Sequence, residues 1–508
     1  MTDRSAATWL DRAMAVAGRT SWWASALLAA ATLFFTLWWT SCSLPLRPLD
    51  NIEGEIAFEA ARLHQGLALY VDPLMGAHDY GAVPSRYMVL YPPLFPAALS
   101  LFPVASLPTI SRVIATLGWF GFSAYLMLFA PQERRKLVIL FGIFLSFVWT
   151  VVLFSCFGHP DTAAVLLMGT GLLIATRERT SKPMWAISPV VAALLTLAVW
   201  TKPNVMGAAP GLFLGALYAA RQTGLSWKQS VRALLPALAG VAVTTAAIVL
   251  WLQWLSHGVW LSHLLSSTMQ GNKLALFLSS LEHRVPKFAG FWLCAGYVAW
   301  RARRSAAGVM LLGALCWSVM WILFISSKTG AAANYMMEPN LVALVTVYRL
   351  PLPSLSARQR HLAACAMLMQ IIWSSVASIH STCENLQDDP SKSELVAHAR
   401  RDCGIADSAL VISDEPGVEW MLNGRLIQTP FQTTHLMRAG RFPESLWSKD
   451  LSDPSVQCLV MHSDLLELPL EQKREDYDLY PPSIRKVLRD RFKRIRSHGG
   501  MSLYGLRH

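Results

Sequence analysis

Long runs of apolar residues, separated by short polar gaps, occupy the chain from about residue 20 to about residue 380. Such runs predict membrane-spanning helices, because about 20 helical residues cross the hydrocarbon core of a bilayer. We therefore expect an α-helical polytopic membrane protein with roughly eleven spans, the shorter of which could be re-entrant. They are predicted near residues 21–41, 109–130, 137–157, 162–176, 185–201, 205–220, 233–255, 288–300, 308–325, 340–355 and 361–379.

The polar gaps alternate between strongly basic and weakly basic. An excess of Lys and Arg marks the cytoplasmic side of a membrane protein, so the N-terminus, with Arg4, Arg12 and Arg19, is predicted to be cytoplasmic. An odd number of spans then places the chain after residue 379 on the outer face. The gaps assigned to the cytoplasm lie at 134–136, 177–182, 221–232, 301–304 and 349–360.

The last 129 residues lack apolar runs of spanning length. Short apolar stretches at 408–413, 456–461 and 501–506 predict strands, and residues 394–401 and 483–495 predict helices. The chain is thus divided into a transmembrane domain (1–379), with a catalytic first outer loop at 42–108, and a small C-terminal extramembrane α/β domain (380–508).

Composition narrows the function classes. Of the 508 residues, 54% are apolar and 15% are charged, and the net charge of +12 is distributed as orientation signals between spans. No nucleic-acid motif is present, so nucleic acid is not an expected partner. The eight cysteines show no zinc-ligand spacing, and we predict neither a metal nor a cofactor. A disulfide between Cys383 and Cys403 is left open for an oxidising compartment.

The first outer loop carries an acidic cluster, Asp50-Asn51-Ile52-Glu53-Gly54-Glu55. Carboxylates at a membrane surface are energetically unfavourable, so a cluster of them indicates a functional role. Residues 53–63 predict an amphipathic helix lying along the membrane, with Glu53 at its N-terminal end, where the helix dipole favours an ionised carboxylate. Glu53 is our first candidate for a catalytic base. Asp50 is the alternative, although it could also have the purely structural role of a helix cap.

The order of an apolar span, an acid in the first outer loop, LHQGLALYVDP and YPPLFPAAL resembles the GT-C superfamily of polytopic glycosyltransferases. These include protein O-mannosyltransferases and the bacterial lipid A aminoarabinose transferases. The resemblance implies a polyprenyl-phosphate-linked sugar donor, a lipid, glycan or protein acceptor, contact with membrane lipid, and the bacterial inner membrane. It also implies a catalytic acid at Glu53 or Asp50, although the adjacent pair of acids typical of the family is not reproduced here.

Three further motifs fit the resemblance, and the predicted topology puts them on the same side as Glu53. They are FGHPD at 157–161, TKPN at 201–204 and ANYMME at 333–338. A departing phosphate needs cationic or N–H donors, for which Lys202 is the first candidate and Lys328 the second. The other substrate-binding candidates are His159, Asp161, Asn334, Tyr335 and Glu338. Each candidate also has a purely structural interpretation: a lysine that snorkels to the interface, a histidine whose hydrogen bonds are satisfied, or a residue at a helix start.

The predicted function is therefore transfer of a sugar to an acceptor hydroxyl on the outer face of the membrane, with a loop carboxylate as general base. A secondary transporter is the main alternative, because acids and lysines within the membrane also mark ion paths. The chain shows no duplicated halves, which transporters usually have. A ligase that transfers a whole lipid-linked glycan is a further alternative.

Overall fold

The structure is a computed structural model, which describes residues 3–42, 44–45, 47–79, 81–177, 187–267, 271–329, 333–462, 465–469 and 480–507. Most of the predicted basic gap at 177–182 lies outside these ranges. For Arg4, Arg12 and Arg19 the structure describes the backbone but not the side chains.

The elements are mostly helical. The helices of the first part are α1 (Asp3–Cys42), α2 (Asn51–His64), α3 (Leu94–Leu99), α4 (Leu107–Leu128), α5 (Arg135–Ser146), α6 (Trp149–Cys156), α7 (Pro160–Ala175), α8 (Pro189–Thr201), α9 (Ala208–Gln222), α10 (Trp227–Ser256), α11 (Trp260–Ser267), α12 (Leu274–His283), α13 (Ala289–Arg301), α14 (Ala306–Ile325), α15 (Met337–Arg349) and α16 (Ala357–Cys403). Then follow β1 (Leu410–Ser413), α17 (Pro416–Asn423), α18 (Pro430–Arg438), α19 (Glu444–Leu451), β2 (Val456–His462), α20 (Pro482–Arg491), β3 (Phe492–His498) and β4 (Met501–Leu506).

The protein is a multi-pass membrane protein. Within the described ranges, five helical segments are long and apolar enough to cross a membrane, namely Thr20–Cys42, Val104–Leu128, Trp227–Ser256, Ala306–Ile325 and Ala357–Glu384. Each of the eleven predicted spans falls largely on a helix in its described part, but the number that actually cross stays a prediction.

One predicted span is interrupted. Residues 137–157 form two helices, α5 and α6, which are separated at Phe147 and Val148. The backbone of Val148 is extended, so the helical hydrogen bonds stop there and begin again with α6. After this break, α6 ends at Cys156, directly before the polar motif at 157–161 that leads into α7.

The helix predicted in the first outer loop is confirmed as α2. Its residues from Glu53 to Arg62 are all buried, so it is enclosed by protein rather than lying open on a surface. Ile56, Ala60 and their neighbours pack into an apolar cluster with residues of α10, while Trp420 contributes from α17. Thus the loop helix is held between the membrane helices and the C-terminal segment.

The C-terminal segment contains a four-stranded sheet in the order β1-β2-β4-β3. β1 and β2 are parallel, whereas β4 is antiparallel to both of its neighbours. The strands predicted at 408–413, 456–461 and 501–506 correspond to β1, β2 and β4. The helix predicted at 483–495 is wrong in its last part, since the chain leaves the helix after Arg491 and pairs with β4 as β3.

The predicted domain boundary between residues 379 and 380 falls inside helix α16, and the division into two domains stays a prediction. The disulfide that the sequence left open needs correction. Cys403 forms a disulfide with Cys458 of β2, with Cα atoms 6.2 Å apart, and not with Cys383. Cys383 lies twenty residues earlier on the same helix as Cys403, which separates the two by about 30 Å and rules out a bridge.

Candidate functional site

The site begins at the N-terminus of α2. Asp50 is the N-cap, and its Oδ1 accepts a hydrogen bond from the Glu53 amide at 2.8 Å. Glu53 reaches back and accepts from the Asp50 amide through Oε2 at 3.2 Å. This reciprocal capping box satisfies two amides that a helix start leaves without partners. Both acids of the predicted catalytic pair are therefore fixed by local structure.

Glu53 is additionally bound by Arg112 of α4. The guanidinium Nε donates to Oε1 at 2.7 Å and Nη2 donates to Oε2 at 2.6 Å. The Gly158 amide donates to Oε1 at 2.9 Å, and Glu53 is only 2% exposed. Both oxygens of Glu53 are thus engaged in a buried bidentate ion pair, and its role as a catalytic base stays a prediction.

Arg112 was missed by the sequence reasoning. It also donates to three carbonyl oxygens of the loop between α1 and α2, so it ties that loop to α4. The signal was present in the sequence, since Arg112 is a single charge near the start of the predicted span 109–130. A charged side chain in such a position requires a partner of opposite charge or a hydrogen-bond acceptor.

Asp50 has a different environment. His159 approaches its carboxylate through Nε2, at 3.0 Å from Oδ1 and 2.9 Å from Oδ2. Burial raises the pKa of Asp50. The charge and hydrogen bond of His159, together with the charge of Arg47, lower it by more, so the net pKa is below its ordinary value. The side chain keeps 22% exposure, in contrast to Glu53. Asp50 is thus an ionised and accessible carboxylate.

Behind His159 lies a second charged layer. His159 Nδ1 is 3.8 Å from Oδ2 of Asp161, which also receives the ammonium of the fully buried Lys202. Asn334 donates to the other oxygen, Oδ1, at 3.0 Å. The Lys202 ammonium lies 4.7 Å from the ring centroid of Tyr91, in cation–π geometry. The charges alternate from Asp50 through His159 and Asp161 to Lys202, which orients the histidine.

This layer joins three of the motifs singled out in the sequence. His159 precedes α7, Lys202 follows α8, and Asn334 lies in the turn before α15, so the three come from separated parts of the chain. Pro160 at the first position of α7 has no amide to satisfy and stabilises the helix start beside His159.

The remaining predicted residues take other places. Glu338 accepts from the amides of Gly207 at 3.3 Å and Ala208 at 2.5 Å, and so caps the start of α9. Tyr335 lies near Asn204 and within electrostatic range of Asp161. Lys328 is not part of the central cluster and forms a backbone bridge with Asn272.

Lys328 belongs to a basic group with Lys273 and Arg438. Burial and these three positive charges together lower the pKa of His435, on α18, to about 4. Gln432 lies one turn earlier on α18 and donates to Oε1 of Glu55 at 2.9 Å. Helix α18 therefore faces the basic group at His435 and faces α2 at Gln432.

Glu55 and Glu59 form a buried acidic pair on α2. Burial raises the pKa of Glu55 to about 8, although the hydrogen bond from Gln432 opposes this, and burial also raises that of Glu59 well above its ordinary value. Glu55 is consequently protonated near neutral pH and is a potential hydrogen-bond donor. Neither role was foreseen, because their burial depends on the C-terminal segment.

Two cavities reach this region. The first has a volume of about 360 Å³ and follows the apolar side of α7, with His159 at one end. The second has about 880 Å³ and lies between the end of α1, α4 and α17, with Arg47 and Leu49 in its wall. Asp50 contacts His159, which lines the first cavity, and follows Leu49, which lines the second.

Comparison with known proteins gives a structural match only. No protein-family model matches the chain, and no curated protein matches it either. The crystal structure of ArnT from Cupriavidus metallidurans bound to undecaprenyl phosphate is similar with a TM-score of 0.54 and 14% identity, covering 94% of this chain and 97% of that chain. The apo oligosaccharyltransferase of Archaeoglobus fulgidus gives a TM-score of 0.44 at 11% identity, covering 87% and 69%. The likeness to ArnT shows a shared fold.

Proposed function

We propose that this protein, which has the GT-C fold expected from its sequence, is a membrane glycosyltransferase that uses a polyprenyl-phosphate-linked sugar. Its acceptor is a hydroxyl of a lipid, glycan or protein on the outer face of the bacterial inner membrane. The solved structure of ArnT contains undecaprenyl phosphate, which agrees with a donor of this kind.

One observation carries the proposal: the apolar cavity along α7 ends at His159, and His159 holds Asp50. An apolar groove beside a membrane helix suits an isoprenoid chain, and its polar end suits the phosphate and sugar. Asp50 then lies where an acceptor oxygen has to approach the anomeric carbon. The second cavity, whose wall includes Leu49 next to Asp50, gives the acceptor its own route.

In this mechanism Asp50, rather than Glu53, is the general base. Its pKa is lowered, its side chain is 22% exposed, and it is oriented by His159. As the acceptor oxygen attacks the anomeric carbon, the bond from that carbon to the phosphate oxygen breaks. Asp50 takes the acceptor proton, and polyprenyl phosphate leaves. Direct displacement inverts the anomeric configuration. Glu53 stays paired with Arg112 and holds the cap.

The developing phosphate charge requires positive groups. Lys202 is deeply buried against Asp161, so its contribution is mainly to orient Asp161 and His159. Lys328, with Lys273, is our candidate for direct electrostatic stabilisation, because both belong to the basic group around His435 on α18, the helix that reaches α2 through Gln432 and Glu55. Asn334 donates to Asp161, and Tyr335 lies within electrostatic range of it.

The proposal is tested in proteoliposomes that contain the purified full chain. Polyprenyl-linked sugars extracted from bacterial membranes serve as donor, envelope lipids and glycans serve as acceptors, and mass spectrometry follows the products. We expect a sugar-modified acceptor with wild-type protein and at least a 100-fold slower reaction with Asp50→Asn. Equal product from both proteins would refute the assignment, and no product from the wild type would refute the function.

A further inference from the structure

Helices α2 and α17 cross in direct backbone contact at two glycines. A Cβ atom built on Gly54 would lie 2.3 Å from the Cα and N atoms of Gly417. A Cβ atom on Gly417 would lie 2.2 Å from the carbonyl oxygen of Asp50 and 2.3 Å from that of Leu49. All of these neighbours are backbone atoms, which cannot move aside as the end of a flexible side chain can. Only glycine fits at either position.

Other contacts between the same two parts surround this crossing. The Leu49 amide points to the Met421 sulfur at 3.4 Å, and the ring of Phe58 meets that of Trp420 at a centroid distance of 6.1 Å. Further along, the Arg86 amide donates to the Ile427 carbonyl at 2.9 Å, and the Arg86 side chain pairs with Asp450. The C-terminal segment is thus fastened to the outer loop at several points, with the glycine crossing nearest to Asp50.

The acid Asp50 is therefore fixed from two sides. On the membrane side, Glu53 is held by Arg112, and the Asp50 carboxylate meets His159. On the other side, Gly417 rests on the Asp50 carbonyl. Glu415, two residues earlier, lies within electrostatic range of both Asp50 and Arg47, so the C-terminal segment also contributes to the wall of the site.

We propose that Gly54 and Gly417 are positioning residues for the transfer reaction, which makes the C-terminal segment a working part of the catalytic centre. This inference rests on the proposed function. Cβ atoms essentially never approach other heavy atoms within 3.0 Å, so Gly417→Ala has to open the crossing by about 0.8 Å. The opening displaces the N-cap of α2 and with it the carboxylate of Asp50. A misplacement of about 1 Å in a catalytic group can reduce the rate ~100-fold.

The test compares Gly417→Ala with Gly121→Ala in the full-length protein. Gly121 is a matched control, because it is also helical and a Cβ there would meet no atom within 4 Å. We expect Gly417→Ala to reduce kcat by ~100-fold while KM for the extracted donor, and binding of undecaprenyl phosphate, change less than about twofold. Gly121→Ala should behave as wild type.

A second measurement is independent of sugar transfer. Hydrogen–deuterium exchange should increase in the amides of residues 51–58 of Gly417→Ala, while β1 and β2 keep wild-type protection. Wild-type exchange and wild-type kcat in a folded Gly417→Ala protein would overturn the proposal. If the wild type itself transfers no sugar, the proposed function fails, and the exchange measurement still decides whether the glycine crossing fixes α2.

Should Gly417→Ala fail to fold, Gln432→Ala takes its place. This change removes the hydrogen bond to Glu55 without introducing a steric clash. It is expected to increase exchange in α2 and to lower kcat by about three- to tenfold, the equivalent of one hydrogen bond. The absence of both effects would contradict the proposal.

Discussion

Exchanging each of the two loop acids for its amide separates their roles. Asp50→Asn and Glu53→Gln each remove one negative charge and keep the side-chain size. Asn is as good an N-cap as Asp, so α2 retains its start in the first variant. In the second variant the guanidinium of Arg112, whose side chain is only 11% exposed, loses a bidentate carboxylate. The same chemical change should therefore affect catalysis in one case and stability in the other.

The magnitudes follow from these contacts. Removing one partner of a buried ion pair costs about 3–5 kcal/mol of unfolding free energy. Arg112 keeps its three carbonyl acceptors, so we expect Glu53→Gln to fall at the lower end, about 3 kcal/mol. Asp50→Asn weakens one hydrogen bond to His159, a loss of no more than about 2 kcal/mol, but should slow transfer by about 100- to 10,000-fold.

Unfolding is followed by tryptophan fluorescence during denaturant titration of the detergent-solubilised protein, and transfer is followed in proteoliposomes. The double variant Glu53→Gln/Arg112→Gln is the control, because it removes the uncompensated charge and should recover about 1–3 kcal/mol relative to additivity. A Glu53→Gln protein with wild-type stability and abolished transfer would refute our reasoning and return the role of base to Glu53.

Three more outcomes are expected. Lys202→Met should destabilise the protein by about 3–5 kcal/mol, because Asp161 is then buried without its cation, and adding Asp161→Asn should recover part of this in the same titration. Lys328→Ala and Lys273→Ala should each raise KM for the donor several-fold with little loss of stability, and added salt should reduce the difference from wild type. The carboxyl of Glu55 has its pKa raised from 4.5 to about 8 in the folded protein, so between these values the folded state binds more protons than the unfolded state and stability falls as pH rises. The variant Glu55→Gln lacks this titration and should gain stability relative to wild type over that pH range, and parallel unfolding curves for the two proteins would contradict the assignment.

The sequence alone determined the features that depend on neighbouring residues. Apolar length predicted where the helices lie, and the acids at 50 and 53 followed by helix formers predicted α2 and its cap. Short apolar stretches predicted three of the four strands. These predictions succeeded because helix caps, hydrophobic length and strand propensity are local properties that need no knowledge of the fold.

The tertiary structure decided which partner each polar group has. Glu53 and Asp50 are three residues apart and both carry a carboxylate, yet Arg112 engages one and His159 the other. Cys403 found Cys458 rather than Cys383 because a sheet strand lies beside the helix end. The charge and accessibility of a carboxylate depend on which distant groups desolvate and pair with it, and that pairing exists only after the chain has folded. For this reason the pattern along the chain could place the acids at the site but could not choose between them.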